Sequence, residues 1–144
     1  MVSKKSSINK KCIDYGSLRV GAIISDRKHV VNINTVKSYI AAVKDMSAGF
    51  FLLNPPYCIP PMAISALSIR GAIHDLSIPG GTVHLSQEIT YYESVQVDDE
   101  LSCLAYLKSN NVRNEWRFLN ISLEVRKSTR LIMTGKSTIM LPSP

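Results

Sequence analysis

The chain has 144 residues, 45% hydrophobic and 19% charged, enough to build one domain around a real core and too apolar for a disordered chain. The formal net charge is +6, but Lys4, Lys5, Lys10 and Lys11 supply four of those charges, and no basic stripe interleaved with aromatics follows, which argues against a nucleic-acid binder. No run of about 18 apolar residues is present, so no membrane span is expected, and three scattered cysteines (Cys12, Cys58, Cys103) without Cys-x-x-Cys spacing point away from disulfides or structural zinc and toward a reduced, cytoplasmic protein.

Residues 1–12 are expected to form a flexible basic tail. Its start, Met1-Val2-Ser3-Lys4-Lys5, is not followed by an apolar stretch, so a signal peptide is not expected. Residues 13–144 are expected to form a single domain. Asp14 to Gly21 has turn chemistry, and Ala22 to Val31 is predicted to be extended on the strength of Ile23, Ile24, Val30 and Val31. A helix is predicted from an Asn34 N-cap, with Val36, Tyr39, Ile40 and Val43 at i, i+3, i+4 and i+7 on one apolar face. It is expected to fade between Asp45 and Gly49, and the prolines at 55, 56, 60 and 61 flank a loop.

Pro61 suits the first position of a second helix, where a missing N–H costs nothing. Met62, Ala63, Ile64, Ala66, Leu67, Ile69, Ala72 and Ile73 then cover nearly its whole circumference, so burial on most sides is expected. Arg70, His74 and Asp75 mark its wetter end, and Pro79-Gly80-Gly81 breaks it. Four extended segments follow: Val83 to Tyr92, Leu101 to Lys108, Glu115 to Val125 and Arg130 to Leu141. In the first, Val83, Leu85, Gln87, Ile89 and Tyr91 alternate with His84, Ser86, Glu88, Thr90 and Tyr92. The turns at 108–114 and 126–129 are polar and short, as hairpins require. One apolar helix followed by an antiparallel meander predicts an α+β domain with the helix against one sheet face.

This layout resembles a hotdog fold, an antiparallel sheet wrapped around a central helix. Its local wording is similar to the MaoC-like (R)-specific enoyl-CoA hydratase/dehydratase family, the MaoC N-terminal dehydratase type. The resemblance runs from about Leu18 to Leu141. It is carried by Leu18-Arg19-Val20-Gly21, by Tyr39-Ile40-Ala41-Ala42-Val43-Lys44-Asp45, by Ile59-Pro60-Pro61-Met62 at the opening of the central helix, and by Val83 to Leu101 with Asp98-Asp99. The resemblance implies an acyl-thioester hydratase or dehydratase, a lyase of fatty acid metabolism acting on acyl-CoA or acyl-carrier thioesters, with no other cofactor and no metal. It also implies a homodimer or a heterodimer with a second hotdog subunit, the ligand tunnel lying between protomers.

Active members of that family use Asp-x-Asn-x-x-His to activate water, and a backbone amide at the start of the central helix to stabilise the thioester oxygen. Here Asp45 matches the aspartate, Ser47 stands at the asparagine and Phe50 at the histidine. Pro60-Pro61-Met62 replaces the usual His-Gly-Met, and Pro61 has no N–H to donate. The substitutions resemble the non-catalytic half of two-subunit relatives. The resemblance thus nominates Asp45 as catalytic or water-positioning, with Ser47, Phe50, Pro61 and Met62 on the substrate.

Beside these, Asp45 also reads as a solvated or capping residue at a helix end. His84, beside a Gly-Gly turn, is a second catalytic candidate that also reads as an ordinary strand residue. Tyr91 is a candidate substrate contact or a core aromatic. Two alternatives stay open: a non-enzymatic acyl-CoA-binding module, and a hotdog thioesterase using Asp45 or Glu88.

Overall fold

The computed structural model describes residues 13–47 and 52–143. A short 3-10 turn (Tyr15–Ser17) leads into β1 (Ile23–Val30), α1 (Ile33–Val43), α2 (Pro61–Asp75), β2 (Val83–Tyr91), β3 (Glu100–Arg113), β4 (Trp116–Lys127) and β5 (Arg130–Pro142). The strands form one antiparallel sheet in the order β1-β3-β4-β5-β2. β3, β4 and β5 are a meander closed by two-residue turns, with Asn114 and Ser128 each at φ 54°. Positive φ matches the twist of a tight hairpin. This is the expected hotdog arrangement: an α+β fold with the sheet curved around one helix.

The core is the inner sheet face. Cross-strand rows run Arg27–Cys103–Val125–Met133–Tyr91, Ser25–Ala105–Leu123–Gly135–Ile89 and Leu107–Ile121–Ser137–Gln87. The aliphatic members of the three central strands are almost wholly buried. α2 lies on this face through Ile64, Ser65, Ser68, Ala72 and Leu76. Its approach to β1 is close: a Cβ on Gly71 would stand 3.1 Å from Ser25 Oγ. The C-terminal end is tied to β1 by Asp75, whose carboxylate accepts from Arg27 Nη2 at 2.5 Å and Arg27 Nε at 3.1 Å. It is tied to the N-terminal turn by the Tyr15 hydroxyl, which donates to the Leu76 and Ser77 carbonyls.

Four expectations are corrected. The cap of α1 is Asn32, not Asn34: Asn32 Oδ1 accepts from Thr35 N at 2.9 Å, and Asn34 sits inside the helix. Both asparagines suit an N-cap, and Ile33 joins the helix because the Asn32 bond starts it earlier. β3 does not stop at Lys108 but runs on to Arg113 past a register shift between Leu107 and Ser109. Its polar residues are hydrogen-bonded there: the Asn110 amide donates to the Tyr15 and Leu18 carbonyls and accepts from Arg117.

In β2, a bulge between His84 and Ser86 breaks the alternation. It sends Val83 to the outer face opposite Met140, and His84 to the inner face opposite Ile139. Finally, α2 is not buried all round. Met62, Ala66, Arg70 and Ile73 are exposed, a single stripe at helical spacing.

Candidate functional site

The site is built where α1, the start of α2 and the end of β2 converge. The chain entering α2 is pinned to the connector leaving β2: Ile59 N donates to Val95 O at 2.9 Å, Val97 N donates to Tyr57 O at 2.8 Å, and Cys58 bridges Gln96. Pro60 and Pro61 then open the helix with their φ already set. Of the first-turn amides, Pro61 has none and the Ala63 N–H is taken by Pro60 O at 2.9 Å. The Met62 N–H has no acceptor among the described residues.

Tyr91, the last residue of β2, crosses this helix start. Its hydroxyl contacts Ser65 Oγ and donates to Met62 Sδ at 3.3 Å. Ser65 is fully buried, lies 3.6 Å from Met133 Sδ, and has its backbone carbonyl capped by Ser68 Oγ at 2.8 Å. The Tyr91 side chain is therefore fixed from the helix side. In front of it lies a largely apolar cavity of about 560 Å³, bordered by Cys58, Ile59, Pro61, Ile64 and Tyr91 among others, with Glu93 as its one charged residue.

Asp45 approaches from α1. The helix ends at Lys44 in the left-handed region (φ 53°), and Asp45 N donates to Ile40 O at 3.1 Å. This closing turn is the usual way a helix satisfies its last carbonyls. The Asp45 carboxylate accepts from Ser47 Oγ at 2.6 Å and Ser47 N at 2.8 Å. These two bonds favour the charged form and hold the acid below its usual range. Tyr39, just before the Ile40 and Ala41 carbonyls that accept in this turn, faces the same space. Its phenol is pushed up by burial and then by the facing Tyr91 and Asp45.

A second cavity, of about 310 Å³, separates α1 from α2 and is lined by Val36, Ser38, Tyr39, Ala66, Leu67 and Arg70 among others. Tyr39 belongs to its wall and also faces Asp45 and Tyr91. Ala63 lines this groove and Pro61 and Ile64 the first cavity, so the two lie beside neighbouring positions of α2.

The predicted residues divide cleanly. Asp45 and Ser47 form one hydrogen-bonded turn, and Pro61, Met62 and Tyr91 meet at the start of α2. Phe50 lies outside the described residues. His84 is at the far end of β2 from Tyr91, roughly 23 Å away along a strand of that length, and its Nε2 is paired with Ser137 Oγ at 2.7 Å. Glu88 is on the outer sheet face beside Lys136 and Lys108, away from α2. The sequence alone does not nominate Ser65, Tyr39 and Arg70 as site residues. The signal for Ser65 was a hydroxyl in an otherwise apolar helix, which needs a partner once buried. Among the described residues, no cluster of His, Cys, Asp or Glu could hold a metal ion, and no helix is long and apolar enough to cross a membrane.

No protein-family model matches this sequence, and no curated protein matches it either. Solved structures do. The chain is similar to the (R)-hydratase from A. caviae involved in PHA biosynthesis, at 18% identity over 88% of this chain and 98% of that one, with a TM-score of 0.72. It is similar to the HadBC (3R-hydroxyacyl-ACP dehydratase) complex from Mycobacterium tuberculosis, at 16% identity over 85% and 96%, with a TM-score of 0.66. It is also similar to the fluoroacetyl-CoA thioesterase FlK, at 13% identity over 87% and 89%, with a TM-score of 0.67. The shared property is the hotdog fold.

Proposed function

We propose that this chain is a MaoC-like acyl-thioester-binding subunit, a hydratase/dehydratase component whose own dyad is degenerate and which works beside a second hotdog chain. The observation that carries the reading is the corner at the start of α2. There the 560 Å³ largely apolar cavity, the Tyr91 hydroxyl and the unpaired Met62 N–H lie together, while the acids nearby are already engaged, Asp45 with Ser47 and Glu93 with Arg130.

The chemistry follows from those groups. An acyl chain is apolar and a thioester carbonyl accepts hydrogen bonds, so the cavity takes the chain and the Met62 N–H accommodates the oxygen. The dipole of α2 favours negative charge at that end. Tyr91, held by Ser65, orients the chain rather than exchanging a proton. Adding water across a double bond also needs a positioned base and a proton source. Asp45 is ionised but engaged twice by Ser47, and the sequence places Phe50 where a histidine would complete the pair. In this reading the missing pair comes from a partner subunit; the HadBC dehydratase, whose fold this chain shares, is itself a complex. β2 is the sheet edge available to such a partner. It is nine residues long with Glu88 as its only formal charge, whereas β1 presents Asp26, Arg27 and Lys28, the charges that discourage edge pairing.

The test is calorimetric titration with crotonyl-CoA and longer enoyl-CoAs, alongside hydration assays of the chain alone and mixed with a hotdog chain carrying an intact Asp-x-x-x-x-His. Binding is expected for the chain alone and for Asp45→Ala, and turnover only in the mixture. Hydration by the isolated chain that Asp45→Ala abolishes would make it an enzyme in its own right. Failure to bind any acyl-CoA, alone or mixed, refutes the reading.

A further inference from the structure

The groove between α1 and α2 is apolar along its length and cationic at its end. Ala63, Ala66, Leu67 and Arg70 line it from α2 at i, i+3, i+4 and i+7, so it follows the helix for roughly 10 Å. The two alanines leave the space that larger side chains would fill. From α1 come Thr35, Val36, Ser38 and Tyr39. α1 contains no acidic residue.

Arg70 closes the far end, exposed and without an acidic partner among the described residues. Its surroundings make this more pointed. The inner face of β1 adds Arg27 and His29, and the one acid there, Asp75, is consumed by Arg27 and His74. His29 Nε2 is buried with no hydrogen-bond partner. Burial, then Arg27, then Arg70 disfavour its protonation. Arg70 is therefore a guanidinium at the end of an apolar groove with no carboxylate paired to it among the described residues, the group that a ligand carboxylate would meet.

We propose that the α1–α2 groove receives the far end of an acyl chain whose thioester end lies at the Tyr91 corner, and that this end is a carboxylate paired by Arg70, so that the preferred thioesters are those of dicarboxylic acids. This rests on the reading of the Tyr91 corner as an acyl-thioester site. Ala63 lines the groove while Pro61 and Ile64 line the corner cavity, so the first turn of α2 is where the chain passes from one to the other. A guanidinium presents a planar fork to a carboxylate and binds it bidentately. A plain alkyl end offers the guanidinium no such pair.

The test compares octanoyl-CoA with its ω-carboxy counterpart, suberyl-CoA, and with CoA alone, by calorimetry on the full chain and on Arg70→Met. Arg70 is exposed, so the substitution is expected to leave the melting temperature unchanged, which a thermal scan verifies. Suberyl-CoA is expected to bind the wild type about tenfold more tightly than octanoyl-CoA, and Arg70→Met is expected to abolish that preference while leaving CoA and octanoyl-CoA affinities intact. Equal affinity for the two thioesters in the wild type overturns the inference but not the acyl-binding reading. If Arg70→Met weakens CoA and both thioesters alike, the arginine reads a CoA phosphate and the inference is overturned. If none of the thioesters binds, both readings fall together.

Discussion

The Tyr91 hydroxyl at the end of β2 meets Ser65 Oγ in α2, 26 positions away in sequence. This contact locks the last strand residue before the connector to the buried face of the central helix. It also decides what the corner presents to a ligand, because the same hydroxyl reaches Met62 Sδ.

Tyr91→Phe and Ser65→Ala should each cost about 1 kcal/mol of stability, the net worth of one hydrogen bond. In a double-mutant cycle followed by urea unfolding, the two losses should overlap rather than add, since both remove the same contact. Tyr91→Phe should in addition weaken acyl-CoA binding several-fold. Strict additivity of the two losses would mean the pair is not coupled.

The Arg27 guanidinium holds the Asp75 carboxyl far below the ordinary value of 3.8. A depressed value in the folded state means that the carboxylate contributes stability above the ordinary range and that the contribution is lost as pH falls through the folded value. Asp75→Asn should lower the melting temperature by a few degrees between pH 5 and pH 8, by a constant margin, since the pair is partly exposed and screened. Below about pH 4 the margin should narrow. A margin that widens on acidification would contradict the assignment.

Gly135 allows β5 to pass under Ile89. A Cβ there would stand 2.7 Å from Ile89 Cδ1 and 3.2 Å from the Glu88 carbonyl oxygen. Gly135→Ala should destabilise by about 1–3 kcal/mol. Ile89→Val, which removes the nearer atom, should recover part of that loss when combined with it. The remainder belongs to the backbone carbonyl, which cannot step aside. Thermal unfolding of the two single variants and the double variant measures all three.

Burial pushes the Cys103 thiol up to about 11, whereas Cys58 is half-buried beside the α2 cavity. The thiolate is the reacting form. With iodoacetamide at pH 8, mass spectrometry should find Cys58 alkylated in the native protein and Cys103 only after unfolding. Prior saturation with a long-chain acyl-CoA should slow the Cys58 reaction.

The helix from Pro61 and the run of strands were legible because both depend on local pattern: proline at a first helical position, and aliphatic residues at period two. What escaped depended on contacts between distant segments. Asn34 and Asn32 are equivalent in a local reading, and only the bond to Thr35 separates them. Ser109, Asn110 and Asn111 read as a turn, yet β3 continues through them because Asn110 holds the Tyr15 and Leu18 carbonyls, more than 90 positions upstream. The site was half legible. Asp45, Met62 and Tyr91 could be singled out one by one, but that Ser65 fixes Tyr91, or that Arg70 ends a groove begun at Tyr39, arises only once α1 and β2 are folded against α2. The apolar stripe of α2 misled for a related reason: Met62 and Ile73 signalled burial, and the folded chain leaves them uncovered.

The sheet's two borders are chemically unequal. β1 carries three consecutive charged residues, Asp26, Arg27 and Lys28, and β2 carries Glu88 alone. Joining through β2, as proposed above, would use up the permissive border of each participant and leave the charged, solvated rims outward. Growth by strand addition through that border would end after a single step, because the edge left over on each participant is the charged one.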